Sequence, residues 1–235
     1  SVISGANFSG SATFGSVSGT IRTRNLGVPE DGGQVIVTGN LSGLIEVNGN
    51  VTGSLFVHGD IAATGVVDVL GDLISGSVAV FQDIEAGGRV SVIGDLTGTD
   101  NVEVLGMNRG LIHIAGTMNA QSLVKAHGGL DAGSLIDVNT SGDSNSTTAG
   151  TIWIGGSATQ NPLPPVTMLG AVRVNCPAQT KTFAGQVKVV GCASASHQSA
   201  DICLYGTLTN PRPILYVDKN CAYKYGTNCT TGCGS

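Results

Sequence analysis

The chain has 235 residues, a formal net charge of −5 at pH 7 and a charged fraction of only 11%. The hydrophobic fraction of 41% is enough for an extended core, whereas 36 glycines and few aromatic residues are unlike an ordinary helical protein. No apolar run approaches the roughly 18 residues of a membrane span. Glycine does not recur at every third position as in collagen, and an acidic chain without a basic stripe disfavours nucleic-acid binding.

Residues 1–34 are rich in glycine and serine, with isolated apolar residues. This pattern predicts either an opening coil of a repetitive fold or a strand that exchanges with a neighbouring molecule. The chain begins with Ser1 rather than Met, which fits a mature product after removal of a signal peptide. We therefore expect an extracellular or cell-surface protein.

A short motif recurs about ten times over residues 35–156. Two apolar residues separated by one other residue are followed by glycine with aspartate or asparagine. Another apolar residue and a further glycine complete the motif. Successive copies read Ile45-Glu46-Val47-Asn48-Gly49-Asn50-Val51, Leu55-Phe56-Val57-His58-Gly59-Asp60-Ile61 and Val67-Asp68-Val69-Leu70-Gly71-Asp72-Leu73. Further copies start at Val78, Val90, Val102, Ile112, Leu123 and Leu135. A repeat this short indicates a unit that stacks on its neighbours.

Each copy predicts a short strand between two bends. Side chains alternate along a strand, so both apolar residues of the pair face inward and the residue between them faces solvent. Glycine tolerates positive φ and the adjacent Asp or Asn bonds its own backbone, so the chain bends there. Such a strand pairs with its counterpart one coil away. The sequence predicts an all-β fold, a parallel β-helix (β-solenoid) with two copies per coil, right-handed by the general chirality of parallel crossovers.

The apolar pairs continue at wider spacing through residues 157–235, ending with Ile214-Leu215-Tyr216. We predict further coils with longer loops and one continuous domain, with a division into two domains near residues 161–165 as the alternative. Six cysteines lie in the last quarter of the chain: Cys176, Cys192, Cys203, Cys221, Cys229 and Cys233. They predict disulfide-stapled C-terminal coils, with 15 possible connectivities.

On these repeats the chain resembles extracellular right-handed parallel β-helix proteins of surfaces and filaments, a group that also includes adhesins and polysaccharide lyases. Its glycine-aspartate repeats are similar to those of the bactofilins, which polymerise end to end. The resemblance implies a β-helix fold and either self-assembly or action on a surface glycan. The cysteines and wide C-terminal loops depart from the bactofilins and argue against a cytoplasmic filament.

Two kinds of ligand or modification site are suggested by residue type. The turn aspartates Asp60, Asp72, Asp83 and Asp95 are regularly spaced and are calcium candidates, although Asn40 and Asn50 fill the same position without charge. We favour a structural role, in which Asp stabilises the bend, over calcium binding. Asn-x-Ser/Thr sequons, which permit glycosylation, begin at Asn7, Asn40, Asn50, Asn139, Asn145 and Asn228.

No catalytic or cofactor motif accompanies the histidines, so we expect no enzymatic activity and no cofactor. The alternative is a polysaccharide-cleaving enzyme using the strand acids Glu46, Asp68, Glu103 and Asp137, which we predict to be one or more coils apart. A carbohydrate-binding surface would need a row of aromatics. Phe56 and Trp153 are the outward aromatics that the pattern identifies.

Charge is divided unevenly along the chain. Residues 30–143 hold 14 of the 16 acids and three basic residues, whereas both ends are positive. Basic ends beside an acidic middle favour contacts between copies, and the terminal coils of a solenoid expose unpaired strand edges. We therefore predict the structural subunit of an extracellular filament or surface layer, associating end to end or through its N-terminal strand. A glycan-binding protein or an adhesin is the alternative.

Overall fold

The computed structural model describes residues 6–27, 32–140, 146–156, 167–176, 180–190, 200–209, 215–217 and 223–226. Its regular structure is entirely β. The first sheet has nine parallel strands: β1 (Ser11–Phe14), β3 (Gln34–Val37), β5 (Ser54–Val57), β7 (Ser77–Val80), β9 (Asn101–Val104), β11 (Leu123–Ala126), β15 (Thr151–Gly155), β19 (Gln186–Val190) and β22 (Leu215–Val217).

The second sheet has nine strands that alternate in sequence with those of the first. They are β2 (Thr20–Thr23), β4 (Leu44–Val47), β6 (Val66–Val69), β8 (Arg89–Val92), β10 (Leu111–Ile114), β13 (Leu135–Val138), β17 (Ala171–Val174), β20 (Ala200–Leu204) and β23 (Tyr223–Gly226). Two small parallel sheets contain β12 (Gly129–Leu130) with β16 (Thr167–Met168), and β14 (Thr147–Thr148) with β18 (Thr182–Phe183) and β21 (Thr207–Leu208).

Successive long strands fall in opposite sheets, so one coil contains two copies of the motif. Val67 lies in register with Ile45 on one side and with Val90 on the other. The parallel β-solenoid and its two copies per coil are therefore confirmed. Both sheets continue without a break from the regular repeats through β22 and β23. The hand of the coil stays a prediction.

The core is the stack of inward residues, as the alternation predicts. Val67, Val69, Val90 and Val92 have no exposed surface. A single inward residue between strands, such as Leu73, forms a one-residue bridge to its counterpart in the adjacent coil. Each coil therefore buries six inward positions in the regular region, three from each copy and nearly all apolar, and stacking makes these positions one continuous core.

The phase of three copies differs from the sequence prediction by one residue. Leu123 and Leu135 are half-buried, and the inward pairs begin with Val124 and Ile136. In the last copy of the first sheet Leu215 lies in register with the inward Val187, and Tyr216 faces solvent with 54% exposure. In each copy at least two apolar residues are adjacent in the sequence, so the local pattern fits two phases and the register with the adjacent coil selects one.

Candidate functional site

The turn Asp and Asn residues form two hydrogen-bonded ladders along the solenoid. In the first ladder, Oδ1 of Asn50 accepts the backbone N–H of Asp72 at 2.9 Å, and Oδ1 of Asp72 accepts that of Asp95 at 2.9 Å. In the second, Oδ1 of Asp60 accepts the backbone N–H of Asp83 at 3.1 Å. The Asp or Asn side chain thus accepts a hydrogen bond from the next coil and not from its own turn. The predicted reason for Asp or Asn in the motif, a hydrogen bond to its own backbone, is therefore wrong at these positions.

The glycine before each ladder residue is required by close packing between coils. A Cβ atom at Gly71 would lie 2.5 Å from Oδ1 of Asn50, and one at Gly94 would lie 2.3 Å from Oδ1 of Asp72. Neither glycine has positive φ, so the predicted conformational reason is wrong at these positions. Glycine leaves space for the carboxyl or amide group of the preceding coil.

Asp72→Ala should lower the free energy of unfolding by about 1–2 kcal/mol, because it removes the side-chain acceptor of the Asp95 amide in a partly buried turn. Asp72→Asn is the matched control and should change stability by less than about 0.5 kcal/mol, since Asn50 makes the same bond one coil away. Urea denaturation gives both values. Unchanged hydrogen-exchange protection of the Asp95 amide in Asp72→Ala would contradict this role.

The four calcium candidates do not share one site. Asp60 and Asp83 belong to the second ladder, and their carboxylate oxygens lie with one of Glu85 within 4.8 Å of one another. Asp72 and Asp95 lie on the other ladder. Nη1 of Arg109 lies 2.6 Å from Oδ2 of Asp83. A cationic side chain therefore already neutralises part of this acidic cluster, and calcium binding at the aspartates stays a prediction.

The outer face of the second sheet carries a row of charged residues in register. Glu46 and Asp68 occupy adjacent coils, and each is paired with an arginine: Arg22 at 2.9 Å and Arg89 at 2.8 Å. Glu103 lies on the other sheet. The acids proposed for an enzymatic site are thus one or more coils apart or in different sheets, as predicted, and the two adjacent ones are neutralised by arginine.

Further along this row Ser91, His113 and Asp137 are directly in register in three successive coils. Nδ1 of His113 lies 4.0 Å from Oδ2 of Asp137, and Nε2 lies 3.4 Å from Oγ1 of Thr140. Burial lowers the pKa of His113, with a further contribution from Arg89. Burial raises the pKa of Asp137 to about 6, against the opposing effects of Arg173 and Lys181.

These three residues do not form a nucleophilic site in this geometry. Ser91 is only 6% exposed, so its hydroxyl group is poorly accessible to a substrate. Nucleophilic catalysis also needs a base within about 3 Å of the hydroxyl group and a third group that orients the base, whereas the His113–Asp137 contact is long. Sequence reasoning missed the row because its successive members are 22 and 24 residues apart, and only the coil length brings them together.

The outer face of the first sheet is more aromatic than the sequence indicated. Phe56 is not isolated, because its ring packs edge-on against Phe81 at 6.1 Å, and His58 stacks on Phe81 at 4.4 Å. Further along the sheet, Nζ of Lys188 lies 5.2 Å from the centre of the Trp153 ring. Between these aromatic groups Glu103 contacts His127 at 2.6 Å and Lys125 at 3.6 Å.

The structure separates the predicted glycosylation sites. Asn139 is fully buried and accepts a hydrogen bond from the Lys181 ammonium group at its backbone oxygen, so a glycan there is not compatible with this fold. Asn40 and Asn50 use Oδ1 in the turn ladders. Asn7 is exposed and accepts a hydrogen bond from Asn25. Asn145 and Asn228 lie outside the described residues.

Two of the six cysteines are described. Cys176 and Cys203 are buried and form a small cluster with Tyr205, separate from the main core. Neither is a free thiol. Cys192, Cys221, Cys229 and Cys233 lie outside the described residues, so the pairing of the six cysteines stays a prediction.

The two ends of the described solenoid expose positions that are buried elsewhere. Ala12 and Phe14 occupy the inward positions of β1 but are only half-buried, whereas their partners Val35 and Val37 in the adjacent coil are 3% and 0% exposed. At the other end Leu215 and Val217 are likewise half-buried. Among the described residues no strand pairs with the outer edge of β1 or of β22.

Within the described part of the chain, no helix is both long and apolar enough to cross a lipid bilayer. Comparisons of the chain with protein-family models, with curated proteins and with solved structures gave no match.

Proposed function

We propose that this protein is the structural subunit of an extracellular filament or surface layer and associates end to end. The observation that carries the proposal is the pair of ends of the described solenoid, at which β1 and β22 combine edges that no described strand pairs with and half-buried inward residues. A second copy stacked on either end would continue both the backbone ladder and the core. Because the two ends differ, this contact does not close, and repeated addition gives a filament.

Charge does not drive such an axial contact. Both ends of the chain carry net positive charge, so stacking brings like charges together, although Arg22 is already paired with Glu46. The contact rests instead on backbone pairing and on the burial of Ala12 and Phe14, and moderate salt should favour it by screening. Right-handed winding and disulfide stapling of the C-terminal coils belong to the same proposal, supported by parallel-crossover chirality and by cysteines confined to that end.

Thr13→Pro tests the axial contact at the outer edge of β1. The carbonyl oxygen of Gly10 accepts a hydrogen bond from Gln34 of β3, and that of Phe14 accepts one from Thr38 directly after β3. Alternation therefore directs the backbone N–H of Thr13 away from β3. Proline removes that N–H and blocks a further strand without breaking the β1–β3 ladder. We expect long unbranched filaments of the full chain by electron microscopy, and loss of most of them in Thr13→Pro.

Thr13→Val is the control, because it keeps the backbone donor and should leave filament length unchanged. Filaments of normal length from Thr13→Pro would reject pairing at this edge. Single short rods of the unsubstituted protein at every concentration would reject the filament itself. That outcome would favour the second candidate, a glycan-binding surface on the outer face of the first sheet, which the Phe56–Phe81–His58 cluster supports.

A further inference from the structure

Four large apolar residues occupy one structural position in consecutive copies of the motif. The position is the residue directly after a four-residue strand, here called the strand-end position. From β6 to β9 it holds Leu70, Phe81, Ile93 and Leu105, which are 44%, 40%, 46% and 41% exposed. In the copies before and after, the same position holds polar or small residues: Thr38, Asn48, His58, Ala115, His127 and Asn139.

Because consecutive strands lie in opposite sheets, the four residues form two short rows. Leu70 and Ile93 follow Val69 and Val92, which are in register, and make the first row. Phe81 and Leu105 follow Val80 and Val104, which are also in register, and make the second row. The rows lie about half a coil apart along the solenoid, one beside each sheet. Phe56 and His58 extend the second row through their contacts with Phe81.

Scattered exposed apolar residues are normal on a protein surface, but these four are not scattered. They fill one position in four successive copies, and that position is polar or small on either side of them. A single foreign partner would need one row. The two rows lie beside opposite sheets and at nearly the same height along the solenoid axis. A propagating contact between identical copies requires this arrangement, because each copy then presents both halves of a heterologous interface.

We propose that the first row of one molecule packs against the second row of its neighbour, joining filaments side by side into a layer. This inference rests on the proposed filament. Each row has only two to four large side chains, and the area that they can bury is far below the roughly 1,000 Å² that a specific interface needs. The contact is therefore weak between single molecules and becomes effective when a filament repeats it once per subunit.

The charges beside the rows make the contact depend on salt. Asp72 and Asp95 of the first ladder follow the first row, and Asp83 of the second ladder follows Phe81. Side-by-side packing brings these acidic ladders towards each other. Repulsion between them is long-ranged at low salt and is screened within about 8 Å at 0.15 M ionic strength, so layers should form more readily as salt is raised.

The test compares filament bundling by electron microscopy of the full chain at low and moderate salt. Leu70→Ser combined with Ile93→Ser removes the first row, and Phe81→Ser combined with Leu105→Ser removes the second. Either pair should leave filament length unchanged and reduce side-by-side contacts at least tenfold. Leu111→Ser combined with Leu135→Ser, at half-buried outward positions that begin β10 and β13 away from the rows, is the matched control and should bundle like the unsubstituted protein.

A mixing experiment identifies the two rows as partners. Filaments assembled separately from the two double variants and then combined should form pairs but no wider layers, because each retains one complementary row. Filaments that bundle normally in both double variants would overturn the lateral contact and leave the proposed function standing. Absence of filaments from the unsubstituted protein would overturn both. Circular dichroism confirms that each variant keeps its β structure.

Discussion

Gly71→Ala is expected to lower the free energy of unfolding by about 3 kcal/mol or more, the upper range for an overpacked site. The added Cβ would lie 2.5 Å from Oδ1 of Asn50 and 2.6 Å from the carbonyl carbon of Gly49. Both atoms are fixed, one by the hydrogen bond to the Asp72 amide and the other by the backbone of the preceding coil. Neither can move without separating two coils.

The matched control is Gly15→Ala, because an added Cβ there meets no atom within 4 Å. Its stability should change by less than about 1 kcal/mol, and it can rise because alanine restricts the unfolded chain more than glycine does. Urea denaturation of both variants measures the difference. Equal stability of Gly71→Ala and Gly15→Ala would show that the coils separate more easily than their spacing indicates.

The second large effect is a pH-dependent stability that arises at Asp137. Burial raises the pKa of this carboxyl from 3.8 to about 6 in the folded protein, and its side chain is 17% exposed. A difference of this size corresponds to about 3 kcal/mol. Because the folded state binds the proton more tightly than the unfolded chain does, this contribution is favourable to folding at low pH and is lost as pH rises from about 4 to about 6.

His113 acts in the opposite sense on the neighbouring strand. Its pKa is lowered, so the folded state disfavours the charged imidazole and stability falls as pH drops below about 6.5. Arg173, in register with Asp137, and the buried Lys181 favour the ionised carboxylate and limit the rise in its pKa. The pH profile of the unsubstituted protein therefore contains opposing contributions, and a variant is needed to isolate Asp137.

Asp137→Asn isolates the contribution of Asp137 to the pH dependence of stability. Relative to the unsubstituted protein it should gain stability progressively between pH 4 and pH 7, by up to about 3 kcal/mol, because asparagine cannot ionise. Asp72→Asn removes one carboxylate from the turn ladder and controls for the general loss of a negative charge. Denaturation midpoints of the three proteins at four pH values provide the comparison. A constant difference between Asp137→Asn and the unsubstituted protein would rule out this site as the source.

The apolar pairs could be read from the sequence because a period of two is local. Val67 and Val69 face inward whichever coil lies above them, and repetition of the pair every 10 to 12 residues requires stacking. The same local pattern failed at Leu123, Leu135 and Tyr216. Adjacent apolar residues in these copies fit two phases, and pairing with the adjacent coil chose between them.

The Gly-Asp motif shows where local reasoning gave the right residues for the wrong reason. Positive φ and a bond within the turn would explain Gly71 and Asp72 in isolation. The stacked coils show instead that Asp72 bonds the backbone of Asp95 and that Gly71 makes space for Asn50. These contacts join residues 21 to 23 positions apart, a separation that becomes contact only when the length of one coil is known.

The sequence by itself determined the fold class, the core positions of most copies and the presence of a stacking unit, because these depend on side-chain alternation and on a repeat. Only the tertiary structure decided which residues meet across coils: the row of Ser91, His113 and Asp137, the Phe56–Phe81–His58 cluster and the two exposed apolar rows. The physical reason is that coil length varies from copy to copy, so the register between coils is set by packing of the whole stack and not by any one repeat.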